Sequence, residues 1–257
     1  MLLSIDAGNT GIKFGIFSVE DCFAPLETFS LSTSIARTAD EYRLVISQFA
    51  ASYIEHLDDC VISSVVPSVT AALKDAASMI CRNRPFIIER GTKTGFFIKT
   101  DINSQLGADI VCNTAAALDM ADGPIIIVDM GTAITVTAVS SARELLGTVI
   151  IPGMDISASA MSEHAALLND VTLKRPSSII GKNTQDSIQS GVVNGHIYMI
   201  DGFVRNMKEQ LCHNGEAVSL IGCGGQSNIL KYCENSFTIL PYLTLCGAAV
   251  LWKINRK

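Results

Sequence analysis

Leu2-Leu3-Ser4-Ile5-Asp6-Ala7-Gly8-Asn9-Thr10-Gly11-Ile12-Lys13 is the stretch on which the fold of this chain turns. A short apolar run ends in an aspartate, a Gly-Asn-Thr-Gly turn follows, and a second apolar run returns. The pattern is strand, tight turn, strand. Its core recurs at Asp129-Met130-Gly131-Thr132, again between two apolar runs. In each copy Asp closes the first strand and Gly lets the backbone turn without a Cβ clash. Thr then aims a hydroxyl and an N–H into the turn. Two such hairpins facing each other across a cleft would clamp a nucleoside triphosphate and its metal.

The chain has 257 residues, 48% of them hydrophobic, enough for one large domain or two small ones. Only 17% are charged, the net charge is −6, and Lys and Arg are scattered. That balance argues against a nucleic-acid surface, which usually needs a clustered basic face. No run of about 18 apolar residues occurs, so no transmembrane helix is expected. The first motif begins at Leu2, so no presequence is expected either, and the expected location is cytoplasmic. Eight cysteines include no C-x-x-C and no His at zinc spacing; they read as reduced thiols in apolar segments.

The elements alternate. The first hairpin pairs 2–6 with 12–18. Helical spacing covers 40–57, a buried strand runs from Cys60 to Val66, a helix covers 68–82, and a strand runs from Phe86 to Glu89. A loop from Gly91 to Ser104 leads to a helix from about Gly107 to Met120. Strands Ile125–Asp129, Ala133–Val139 and Glu144–Ile150 follow, then a helix over 154–168. Residues 185–212 have helical spacing that Gly191, Gly195 and Gly202 divide or bend. Ser219–Ile221, a Gly222-Cys223-Gly224-Gly225 turn, a helix over 226–233 and a last helix over 243–255 complete the chain. The order after Asp6 resembles the order after Asp129. This predicts an α/β fold of two halves, each led by such a hairpin, with a nucleotide cleft between them. The halves are expected at 1–118 and 119–257, with the last helix packing back on the first.

Asp6 and Asp129 beside triphosphate oxygens imply a cation between the charges; Mg2+ needs only one or two protein carboxylates. Lys13, on the returning strand, can reach a terminal phosphate. The Gly222–Gly225 turn offers close backbone approach for an adenine, and reads equally as a plain tight turn. Asp109, in Gly107-Ala108-Asp109, is placed where the helix dipole favours a carboxylate, and also where a general base would be needed. Thr184, in Gly181-Lys182-Asn183-Thr184, reads equally as a helix N-cap. His56, His164, His196 and His213 show no ligand or catalytic spacing.

These segments in this order resemble type III pantothenate kinase, within the acetate and sugar kinase/Hsc70/actin superfamily, which implies an α/β fold of two actin-like, ribonuclease H-like halves with a nucleotide cleft between them. The resemblance rests on the first hairpin, Gly107–Asp109, Asp129–Ala133, Ile151-Pro152-Gly153, Gly181–Thr184 and Leu243-Thr244-Leu245 with Gly247. It implies an enzyme that transfers the ATP γ-phosphate to the hydroxyl of pantothenate, the first step of coenzyme A biosynthesis. It implies that Asp6, Ala7, Gly8, Asn9, Thr10, Gly11, Ile12, Lys13 and Thr132 hold ATP. Asp109 would be the base, and Gly107, Ala108, Asp109, Ile110 and Thr184 would contact pantothenate. Asp129 would hold a monovalent cation (K+ or NH4+), with Mg2+ at Asp6, in a homodimer. The chain departs from the family pattern at Ile110, where the family has Arg, at Ile102-Asn103 and Leu168-Asn169, and at Cys223 of the Gly-rich turn. Those departures leave a second reading open, a nucleotide-binding accessory protein or silent subunit acting through a partner.

Overall fold

The computed structural model describes residues 1–102, 106–164, 172–212 and 216–256. In chain order the strands are β1 (Leu2–Ala7), β2 (Gly11–Phe17), β3 (Glu27–Ser32), β4 (Asp59–Ser64), β5 (Phe86–Ile87), β6 (Phe97–Ile98), β7 (Ile125–Met130), β8 (Ala133–Val139), β9 (Glu144–Pro152), β10 (Ser219–Cys223) and β11 (Thr238–Ile239). The helices are α1 (Ala39–Phe49), α2 (Pro67–Ser78), α3 (Ala108–Met120), α4 (Met154–His164), α5 (Thr184–Gln189), α6 (Gly195–Leu211) and α7 (Leu243–Asn255). The chain divides into two compact units, residues 1–121 with 242–257, and residues 122–241.

In the first unit the sheet order is β3-β2-β1-β4-β5, with β1 antiparallel to β2 and parallel to β4. Strand alternation assigns its two faces. Leu3, Ile5 and Ala7, with Ile12, Phe14 and Ile16, share a core with Tyr42 and Ile46 of α1 and Val69 and Leu73 of α2. Ser4 and Asp6 point to the opposite face, where Ser4 Oγ donates to the Leu245 carbonyl of α7 at 2.9 Å. There α3 and α7 pack so closely that a Cβ on Gly247 would overlap the Cys112 backbone. Thr244 Oγ1 and Asn113 Oδ1 meet between these helices at 2.9 Å. The Leu-Thr-Leu-x-Gly signature is thus a packing signature: Leu245 anchors β1, Thr244 satisfies a buried amide, and Gly247 admits a backbone.

The second unit repeats the topology. β9-β8-β7-β10-β11 corresponds strand for strand to β3-β2-β1-β4-β5, again with an antiparallel first hairpin and a parallel next strand. Ile126, Val128 and Met130 of β7 pack with Ile197, Ile200 and Val204 of α6. The self-similarity read from the two Asp-Gly hairpins is therefore a duplicated sheet.

Several boundaries differ from the sequence expectation. The helix over 40–57 stops at Phe49; residues 50–57 turn, with a 3-10 turn at Ile54–His56, to lead buried Leu57 toward β4. β3 was not anticipated, because as an edge strand it keeps only Phe29 and Leu31 as apolar anchors. The segment 185–212 is split by a π-helical turn at Ser190–Asn194, where Gly191 stands and Gly195 follows. Residues 226–233 form a 3-10 turn, Ser227–Tyr232, rather than an α-helix. The helix starting at Met154 runs to His164; 165–168, and with them Leu168, lie outside the described residues, as do Asn103, Asn169 and His213. Among the described residues no helix is long and apolar enough to cross a membrane.

Candidate active site

The first hairpin places its polar residues on one face. Asp6 is the cross-strand partner of Lys13, so carboxylate and ammonium lie on the same side of the sheet, both half-buried. Asp6 also lies beside Ser63 of β4, whose Oγ donates to Asp6 Oδ1 at 3.4 Å. The turn is braced on both sides. Gly8 N–H donates to the Gly11 carbonyl at 3.0 Å, Thr33 Oγ1 to the Gly8 carbonyl at 2.7 Å, and Thr33 N–H to the Thr10 carbonyl at 3.0 Å. Asn9 and Thr10 are exposed at the tip. Ala7 and Ile12 are buried in the core, so only their backbones can face a ligand.

Asp109 lies in the first turn of α3, on the same face of this unit as Asp6. Gly107 is the N-cap, and with no side chain there the Asp109 carboxylate folds back against it and accepts the Ile110 N–H at 2.9 Å. Cys112 stands one turn on from Asp109 and is fully buried. Burial pushes its thiol well above the ordinary range. A hydrogen bond with Ser63 pulls the other way, while the negative charges of Asp6 and Asp109 push it further up. Both carboxylates thus act on one buried thiol, which stays protonated. Ile110 is only 7% exposed and packs in the core; its carbonyl accepts from Thr114 Oγ1 at 2.8 Å.

A cavity of about 640 Å³ opens at this end of the first unit. Ser64 at the end of β4, Val65 after it, residues 88–92 and Thr94, and Leu106, Gly107, Ala108 and Val111 at the start of α3 line it. Val65 N–H donates to the Ala7 carbonyl at 3.1 Å, so one wall of the cavity is bonded to the end of β1. Sequence reasoning passed over Ser63, Cys112 and the 88–94 loop. The two serines ending the apolar β4 run were the available signal.

The second hairpin has the same backbone and different chemistry. Asp129 stands opposite Thr135 on β8 and beside Cys223 on β10. Gly224 has φ +89°, and a Cβ there would run into Asp129 Oδ1 and the Met130 backbone. The glycine in that turn is required by the strand beside it, and Gln226 N–H completes the junction on the Met130 carbonyl at 3.2 Å. Thr132 is exposed; its carbonyl accepts from Gly153 N–H at 3.0 Å, which locks Ile151-Pro152-Gly153 beneath the turn. His196 supports that segment from a buried position: Nε2 lies 3.1 Å from the Pro152 carbonyl and Nδ1 2.6 Å from that of Val192.

Thr184 is the exposed first residue of α5 and not its cap. Asn183, one residue earlier, is the cap, with Oδ1 accepting from Asp186 N–H at 2.8 Å. Arg175 is engaged within the second unit, over the Tyr232 ring at 4.3 Å and 3.5 Å from Asn194 Oδ1. All eight cysteines are free, six of them buried. Among the described residues no three His, Cys, Asp or Glu side chains gather as a metal cage.

A duplicated five-strand sheet unit, each copy led by an Asp-Gly hairpin, defines an α/β protein of the actin-like fold class. Solved chains share the fold. One from Campylobacter jejuni, described as a Baf family transcriptional activator, superposes with a TM-score of 0.61 at 21% identity, covering 98% of both chains. Another, from Sinorhizobium meliloti and titled a 2-dehydro-3-deoxygalactonokinase, gives 0.59 at 10% identity, covering 100% of this chain and 99% of that one. The family model described as type III pantothenate kinase matches residues 2–206. A type III pantothenate kinase of Exiguobacterium sibiricum is 36% identical over 262 residues, all of both chains. One of Streptomyces coelicolor is 35% identical over 270 residues, covering 99% of this chain and 98% of that one. The chain belongs to the type III pantothenate kinase family.

Proposed function

We propose that this protein phosphorylates pantothenate with ATP, giving 4'-phosphopantothenate and ADP at the entry to coenzyme A biosynthesis. One observation carries the reading: Asp109, in the first turn of α3, directly follows Gly107 and Ala108, which line a cavity large enough for a small acceptor. Phosphoryl transfer asks a protein for positioning, charge neutralisation and a proton acceptor. Asp109 takes the proton of the acceptor's primary hydroxyl. That oxygen bonds to the γ-phosphorus, the bond from phosphorus to the β-phosphate oxygen breaks, and ADP leaves. The exposed N–H groups and hydroxyl at Asn9 and Thr10 bind phosphate oxygens, with Lys13 adding positive charge and Thr132 a further hydroxyl.

The residues fit a magnesium ion, which keeps several waters and is usually held by one or two carboxylates together with phosphates. Asp6 would hold it, and the ion would supply charge neutralisation on the phosphates. Asp129 would hold a monovalent cation, K+ or NH4+. Gly107, Ala108 and Asp109 contact pantothenate, and Thr184 contributes from α5. The active species is a homodimer, for which the small residues Gly191 and Gly195 beside exposed Tyr198 offer a close-approach face. Free, mostly buried cysteines suit a reducing compartment, the cytoplasm. The test is ADP release in the presence of MgATP and KCl. It should rise on adding pantothenate; release that ignores pantothenate overturns the reading.

A further inference from the structure

Position 110 holds a buried isoleucine, so an anionic acceptor in the α3 cavity must find its positive charge elsewhere. Among the described residues lining that cavity Arg90 is the basic one. Its place is set by a built turn. Ile88 N–H donates to the Ile62 carbonyl at 2.9 Å, extending the β4 edge. Thr92 N–H then returns to the Glu89 carbonyl at 3.0 Å, while Glu89 N–H donates to Thr92 Oγ1 at 3.1 Å. Arg90 and Gly91 are the central pair of this turn. Gly91 has φ +94°, the conformation the third position of a type II turn requires. Arg90 is exposed and makes no ion pair or hydrogen bond among the described residues. Glu89 also lines the cavity, and its charge works against an anion, which leaves the attraction to Arg90.

We propose that Arg90 determines acceptor specificity by binding the carboxylate of the acceptor in this cavity. The proposal rests on the pantothenate kinase reading and adds the residue that selects for the acid. A guanidinium presents paired donors matched to a carboxylate, and such charge-assisted bonds are stronger than neutral ones. Its loss therefore falls on acceptor binding and not on proton removal, which belongs to Asp109.

The experiment compares Arg90→Gln with the unsubstituted protein on two acceptors: pantothenate, and panthenol, in which an alcohol replaces the carboxylate. Arg90→Gln should raise KM for pantothenate by roughly tenfold or more, with kcat far less affected. The penalty should be absent with panthenol, and Arg90→Lys should recover part of it. An equal change with both acceptors, or no change with pantothenate, overturns the proposal. If the unsubstituted protein does not turn pantothenate over, calorimetric titration of pantothenate separates the two claims. Binding that Arg90→Gln abolishes supports the role of Arg90 and overturns the reaction; no binding to the unsubstituted protein overturns both. Unchanged melting temperatures exclude misfolding as the cause.

Discussion

The two hairpins share topology and differ in what surrounds the aspartate. Asp6 has Lys13 across the ladder and a serine on the neighbouring parallel strand; Asp129 has Thr135 across the ladder and Cys223 beside it. A second carboxylate, Asp109, lies in the same unit, directly after two residues that line a cavity. Asp129 is instead enclosed by a left-handed glycine and the turn that follows it. One duplicated backbone therefore carries two sites of different kinds. The first has opposite charges, a second carboxylate and a neighbouring cavity. The second sets its carboxylate against backbone groups, and we propose it as the ion ligand.

The largest expected effect of breaking this contrast is at Asp109. Asp109→Asn keeps the shape of the side chain and removes the proton acceptor. It should lower kcat by about 10²- to 10⁴-fold while calorimetry still shows MgATP binding. Turnover near that of the unsubstituted protein would reduce Asp109 to a helix-start residue. Next in size is the exchange of the two hairpin aspartates. Asp6→Asn should weaken MgATP binding clearly. Asp129→Asn should act mainly through the potassium dependence of the rate. Equal loss of nucleotide affinity in both variants would erase the distinction between the sites.

Much of this was legible in the residues. Asp-x-Gly with a following Thr, read twice, gave both hairpins and the duplicated order, because period-two apolar runs and glycine turns are local signals. The helix start at Gly107-Ala108-Asp109 was equally local. What escaped depended on contacts far apart in sequence. Cys112 reads as a core thiol until α3 is laid beside β1 and β4, and Gly247 reads as an ordinary helix glycine until Cys112 lies against it. The Gly222–Gly225 turn read equally as access for a base and as a plain tight turn, and the approach of Gly224 to Asp129 lay beyond a local reading. Arg90 carried no motif, since its value comes from a turn that sets it on a cavity wall. Edge strand β3 has too few apolar residues to announce itself.

The smallest effect concerns the scaffold that makes the first site. Gly247→Ala places a methyl against the Cys112 backbone and should cost about 1–3 kcal/mol in denaturant unfolding. Gly147→Ala meets no atom within 4 Å and should be close to neutral. A harmless Gly247→Ala would mean that α3 and α7 are less closely packed than described, and that the Asp6–Asp109 arrangement does not depend on them.

Phosphorus NMR of the protein with MgATP, KCl and pantothenate tests the central claim most directly, because it shows where the γ-phosphoryl group goes. The account predicts that ATP signals give way to those of ADP and of a phosphomonoester on the acceptor's primary hydroxyl, and that Asp109→Asn stops this. ATP left intact, or ADP appearing with inorganic phosphate alone, would contradict it.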